Sequence, residues 1–308
     1  MDVRRIMPFM MQWRTHRWMH RILAMVLIAL LESVAGAAAA APEAELWERW
    51  TVHDAGATAT IDHSEWSAFL SRYLTVRDSA PNRMAYDQVS AADKKRLDDY
   101  LSSLSAVSIS RYSRDEQRAY WINLYNALTV HVVLEHYPVE SIRDISISPG
   151  FFSVGPWGKK LISVEGEQLS LDDIEHRILR PIWKDPRIHY AVNCASLGCP
   201  SLMAQAFTAS NTDELLDRGA KGFINSSHGA RFDDSNRLTV SSIYDWYQED
   251  FGGNEAGVVA HLRAYALAPL AAKLATVDQV YDYDYDWSLN GTAPTEKQEQ
   301  PRVGSAQR

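Results

Sequence analysis

Arg114-Asp-Glu-Gln-Arg-Ala-Tyr-Trp-Ile-Asn123-Leu-Tyr-Asn126-Ala-Leu-Thr-Val-His131-Val-Val-Leu-Glu-His136 decides the fold. The stretch has no internal proline or glycine, and Pro138 stands just past its end, so it reads as one long helix. Apolar residues fall on every side of it, which implies a helix surrounded by protein. At about 100° per residue, Glu116, Tyr120, Asn123 and Ala127 share one face, with Asn126 at its edge. Buried polar groups need partners, so this stripe is expected to meet other polar groups. His131 lies near the stripe but about 22 Å from Glu116 along the axis, too far to share one small site with it.

Around this helix the chain alternates short helices and short strands. Ser90 caps a helix through Leu104, and Ser170 caps another, with Asp173 three residues on. Lys160 to Val164 and Gln168 to Leu169 read as a hairpin about Glu165-Gly166. Helices are expected near Asp213 to Asn225 and Glu255 to Leu267, with a hairpin at Arg231 to Val240. Tyr and Asp alternate from Val280 to Trp287, the pattern of a strand. The fold expected is α+β: a single domain over 42–290, with the buried central helix packed on a mainly antiparallel sheet.

The first 41 residues are read apart from the domain. Arg4, Arg5, Arg14, Arg17 and Arg21 precede an apolar run from Ile22 to Leu31, and small residues fill Gly36 to Ala41. That order is a signal peptide, or an N-terminal anchor if uncleaved, and it implies an exported protein, periplasmic or secreted. Any membrane attachment would run through that segment alone. Residues 291–308 have no apolar pattern and read as a disordered tail. The net charge of −8, with no basic stripe among aromatics, gives no sign of a nucleic-acid partner. Ten tryptophans and fourteen tyrosines imply a dense aromatic core or an aromatic-lined groove.

Chemistry centres on the chain's two cysteines, in Arg187-Ile-His-Tyr-Ala-Val-Asn-Cys194-Ala-Ser-Leu-Gly-Cys199-Pro200. Ile188, Tyr190 and Val192 alternate with His189, Ala191 and Asn193, so the approach to Cys194 reads as a strand ending in a turn. A thiol there is a nucleophile, half of a Cys194–Cys199 disulfide, or inert filler.

Several of these words resemble the domain-of-unknown-function family 547. They are Arg114 to His131, Gly155-Pro-Trp-Gly-Lys-Lys160, Ile174-Glu-His176, Asp185 to Pro200 and Tyr285-Asp-Trp-Ser-Leu-Asn290. The likeness covers roughly residues 80–290. It implies a domain whose biochemical role is unsettled, and further a likeness to papain- or transglutaminase-like folds. In those folds the cysteine opens the central helix, whereas here the central helix offers Glu116 and Asn123 and the cysteine follows an expected strand.

As a nucleophile, Cys194 needs a base and a group that orients the base. His176, on the helix before the cysteine segment, and His189, on the segment itself, are the candidate bases. A regular strand would turn His189 to the face opposite Cys194. Glu116 and Asn123 are the candidate orienting groups, and backbone amides from Ser196 to Gly198 are the candidate oxyanion donors. Asn126, Cys199, Ser196 and Arg187 complete the expected site, with Arg187 either binding a carboxylate or pairing within the protein. No cofactor and no metal site is expected, because the histidine and cysteine spacings match no common zinc pattern. The chemistry expected is a cysteine-dependent amide hydrolase or acyltransferase, acting on peptide, cell-envelope material or a small amide. The competing expectation is a non-catalytic binding domain with the two cysteines bridged.

Overall fold

Ser113 starts the central helix by accepting a hydrogen bond from the Glu116 amide at 3.3 Å. The helix, α3, then runs Arg114–His136 without a break. In the computed structural model, which describes residues 41–77, 81–150 and 153–292, it is buried from Glu116 to Val130. The described residues from Pro42 on belong to one unit. The signal or anchor segment (save Ala41) and all but the first two residues of the tail lie outside the described residues.

Helices α1 (Ser64–Tyr73) and α2 (Ala91–Ser105) precede α3, and α2 packs along it. Ser90 caps α2, accepting from the Asp93 amide at 3.1 Å. After α3 come a π-helical turn, Asp173–Leu179, continued by α4 (Arg180–Trp183), and a 3-10 turn, Pro186–Tyr190. Then follow α5 (Thr212–Ile224), α6 (Ile243–Trp246), α7 (Glu255–Tyr265) and α8 (Ala268–Leu274).

The strands are few and short. β1 (Leu74–Thr75) pairs with β2 (Arg83–Met84), and β3 (Ile162–Val164) pairs with β4 (Glu167–Leu169). β5 (Ala230–Phe232) and β6 (Leu238–Ser241) are antiparallel, and β7 (Asp282–Asp284) joins β6 in parallel. The β3–β4 hairpin turns on Glu165 (φ 46°) and Gly166 (φ 86°), two consecutive left-handed residues that suit a tight hairpin. The class is α+β, but the expected seat of the central helix is corrected: α3 packs against α2, the π-helical turn and α5 rather than against a sheet. A helix apolar all round must be covered on every side, and strands of two to four residues cannot do that.

Two apolar clusters result. One surrounds α3 and includes Trp50, Trp66, Trp121, Tyr125 and Phe207. The other gathers Tyr190, Phe223, Tyr244, Phe251 and Leu262 beneath the three-stranded sheet and α7. The chain leading to Cys194 is also corrected. It is a 3-10 turn, not a strand, because Asp185 caps it through the Arg187 amide at 2.9 Å and Pro186 sits in its first turn. Ile188, His189 and Tyr190 are all buried there, so apolar alternation did not mark two faces. Pairing also runs past the expected domain end at Asn290: Gly291 bridges Met84, and the Thr292 amide bonds the Met84 carbonyl at 3.0 Å.

Candidate functional site

The cysteine loop is fixed from below by an amide on α3. Asn126 donates from Nδ2 to the Ala191 carbonyl and accepts from the Asn193 amide, both at 2.8 Å. Asn193 closes the base of the loop, donating to the Pro200 carbonyl at 2.7 Å and accepting from the Ala195 amide at 2.9 Å. From the other side, the segment after β7 is bolted on. The Leu197 and Gly198 amides donate to the carbonyls of Ser288 and Asp286, and the Asn290 amide donates to the Ala195 carbonyl. Gly198 has to be glycine for this approach, since a Cβ would lie 2.7 Å from the Asp286 nitrogen. Between these clamps Ala195 is held at φ 58°, a strained backbone for a residue with a side chain.

That kink brings two hydroxyls onto one sulfur. Cys194 Sγ lies 3.0 Å from the Tyr285 hydroxyl and 3.2 Å from Ser196 Oγ, and the two hydroxyls are 2.9 Å apart. The Cys194 amide donates to Cys199 Sγ at 3.0 Å. Both thiols are free; Cys194 is partly exposed and Cys199 is buried. Burial pushes the Cys194 thiol up, but hydrogen bonds from Cys199, Ser196 and Tyr285 more than offset it and bring the group down to about 7. Burial, together with the neighbouring Cys194, drives Cys199 the other way, well above an ordinary thiol.

An aromatic wall rises beside Tyr285. Its ring lies 4.6 Å from Trp287 and 4.8 Å from Trp246, and Trp157 meets Trp287 at 5.9 Å. All four rings are partly exposed. The expected aromatic core is present around α3, and these four partly exposed rings form a second aromatic group apart from it.

The histidines form a separate cluster. His189 Nε2 sits 2.6 Å from Asp250 Oδ2, which also receives Arg180 Nε at 2.6 Å. Arg180 donates to His176 Nδ1 at 3.0 Å and to the Pro42 carbonyl at 2.7 Å. Tyr247 stacks on His189 at 4.4 Å and lies tilted 5.7 Å from His176, with the Arg180 guanidinium over its face. Burial holds both imidazoles below their ordinary range, against the Asp250 hydrogen bond that raises His189. Burial raises Asp250, and hydrogen bonds from His189 and Arg180 more than offset this, taking it down to about 2. On the π-helical turn, burial lifts Glu175 to about 7 against a Tyr125 hydrogen bond and the Arg180 charge, and the Cys194 charge adds to the lift.

The sequence-predicted residues thus divide. Cys194, Ser196, Cys199 and Asn126 meet. No hydrogen bond joins His176 or His189 to either sulfur among the described residues, because Arg180 and Asp250 hold both rings. Glu116 accepts from the Ile61 amide at 2.6 Å and orients no imidazole. Asn123 is spent on both the amide and carbonyl of Phe207. Arg187 is bound by Asp185 and Asp217. The Leu197 and Gly198 amides are not available to an oxyanion, since carbonyls already hold them. Sequence reasoning missed Tyr285 and Glu175 beside Cys194, and Tyr247 and Asp250 as the partners that hold the histidines. For Tyr285 the signal was the Tyr285–Asn290 word itself. No group of three or more histidine, cysteine or acidic residues suited to a metal occurs among the described residues.

Residues 109–224 match the family described as "Protein of unknown function, DUF547", in agreement with the resemblance drawn from the sequence. The match takes in α3, the π-helical turn, the cysteine loop and α5, and ends before Tyr285. No curated protein and no solved structure matches the chain.

Proposed function

We propose that this chain, which carries a domain of family 547, acts through a preformed Cys194 thiolate that accepts an acyl group. The observation that carries the reading is the Cys194 sulfur within 3.2 Å of two hydroxyls, on a residue that is partly exposed. A thiolate that exists near pH 7 needs no histidine to remove its proton. It attacks an acyl carbonyl, the carbon–sulfur bond forms, and the leaving group departs from the tetrahedral adduct. The Tyr285 and Ser196 hydroxyls, released from sulfur as its charge moves away, are the donors nearest the new oxyanion. Glu175, protonated up to about pH 7, is the proton carrier on the protein side. With no imidazole beside sulfur to protonate an amine, an ester or thioester donor suits the site better than an amide. A papain- or transglutaminase-like mechanism is accordingly not part of this proposal. The basic run and the apolar Ile22 to Leu31 segment support an exported setting, with cell-envelope material or peptide as the natural acceptor.

The test is direct acylation. Incubated with an activated aryl ester or a thioester, the folded chain should carry one acyl group on Cys194, read by peptide mass spectrometry, and Cys194→Ala should carry none. Absence of an acyl-Cys194 adduct with every such donor overturns the reading. The competing reading, a binding domain, has the partly exposed faces of Trp246 and Trp287 in its favour. It is preferred if ligands quench tryptophan fluorescence equally in wild type and Cys194→Ala while no acylation occurs.

A further inference from the structure

The two thiols differ in every property that matters for sulfur exchange. Cys194 is a partly exposed residue whose sulfur meets the Ser196 and Tyr285 hydroxyls. Cys199 is 6% exposed, sits against the Cys194 backbone at 3.0 Å, and also meets the Val192 carbonyl at 3.7 Å. The loop that joins them is already folded back on itself, closed at its base by the Asn193 to Pro200 hydrogen bond. Cys194 is therefore the residue of the pair nearer to solvent, and Cys199 the one held in the interior.

We propose that Cys194 and Cys199 form a thiol–disulfide exchange pair, with Cys194 the attacking sulfur and Cys199 the resolving one, acting on low-molecular-weight disulfides. The proposal rests on Cys194 being a nucleophile, as in the acyl-transfer reading. In the first step the Cys194 thiolate attacks one sulfur of the small disulfide; a mixed disulfide forms and a small thiolate leaves to solvent. In the second, Cys199 loses its proton and attacks the Cys194 sulfur from the protein side, and the second small thiolate leaves on the exposed side. Exchange needs the three sulfurs near a line, and an inner resolver with an outer leaving group meets that need. Two protein thiols are oxidised, one small disulfide is reduced to two thiols, and the two protons go to the departing thiolates. The asymmetry of ionisation agrees: the outer thiol is the one held low, and the inner one stays protonated until a mixed disulfide removes the neighbouring charge.

Closing the pair has a consequence for the first activity. It converts the only partly exposed thiol into an acyl-inert sulfur and takes from the Cys194 amide its present acceptor. The acyl chemistry is thereby switched off by oxidation and restored by a dithiol reductant.

The experiment uses the reduced full chain with oxidised glutathione under nitrogen near pH 7. Intact mass should show the loss of two hydrogens, with peptide mapping giving a Cys194–Cys199 bridge. Cys199→Ser and Cys199→Ala should instead accumulate one glutathionyl group on Cys194, and Cys194→Ser should acquire none. Acylation of Cys194 by the aryl ester should disappear on oxidation and return with dithiothreitol. A wild-type chain that stops at a stable glutathionyl-Cys194 overturns the exchange pair while leaving the acyl reading intact. A Cys194 that takes neither iodoacetamide nor glutathione overturns both.

Discussion

The cysteine loop and the histidine cluster are both buried, polar and built on the same stretch of chain, and they come to opposite uses. Around His189 the charged groups are tied to protein partners: Asp250 takes His189 and Arg180, and Arg180 also takes His176 and Pro42. Around Cys194 the loop backbone is clamped as well, but the sulfur of this partly exposed residue is met by two hydroxyls that can exchange partners. The difference teaches that burial and perturbed ionisation do not mark a reactive site. A group whose bonding is complete within the protein holds the fold together, and a group held in place with capacity left over can react.

The largest expected effects break the comparison on its structural side. His189→Ala leaves a cavity where a buried ring stacked on Tyr247 and removes one hydrogen bond from Asp250, which keeps Arg180; the expected loss is about 2–4 kcal/mol of stability by urea unfolding. The Cys194 alkylation profile should stay where it is under native conditions. A stable His189→Ala protein whose thiol has moved to the ordinary range would mean that the imidazole serves the sulfur after all. Asn126→Ala removes both bonds that seat the cysteine loop on α3, and about 2 kcal/mol should be lost, with faster hydrogen exchange at Asn193.

Tyr285→Phe sharpens the chemical side. It removes one hydroxyl from the thiolate and should slow alkylation near pH 7 by about tenfold, with little change in melting. An unchanged rate would leave Ser196 and Cys199 to explain the low ionisation.

Glu175→Gln gives a signal of opposite sign, a gain in stability. The carboxyl is raised in the folded chain from its ordinary 4.5 to about 7, so its favourable contribution is present below 4.5 and lost as pH rises through 7. The Gln variant should therefore exceed wild type in stability at pH 8, on the order of 2 kcal/mol, with the two converging near pH 4. Equal stability at both pH values would place Glu175 in contact with solvent.

How much of this could be read from the sequence depends on how far apart the partners lie. The central helix was legible from Arg114 to His136 because its signals are local: a capping serine region, twenty-three helix-compatible residues and a proline beyond. The β3–β4 hairpin was legible from Glu165-Gly166 for the same reason. The chain before Cys194 was not, since five residues with alternating apolar side chains fit a strand and a short turn equally well, and Asp185-Pro186 tipped it to the turn. The costly amides on α3 were rightly expected to meet polar groups, but Asn123 and Asn126 both meet backbone. Tyr285 reaches Cys194 across a separation of 91 residues, and no spacing rule reports such a contact.

The central claim is that Cys194 is a thiolate near neutrality without an imidazole. Its most direct test is the pH dependence of iodoacetamide alkylation at Cys194 in the reduced, folded chain, read peptide by peptide. The rate should rise with pH to a plateau with a midpoint near 7, while Cys199 stays unlabelled. A Cys194 midpoint at or above the ordinary thiol value of 9.0 would contradict the account.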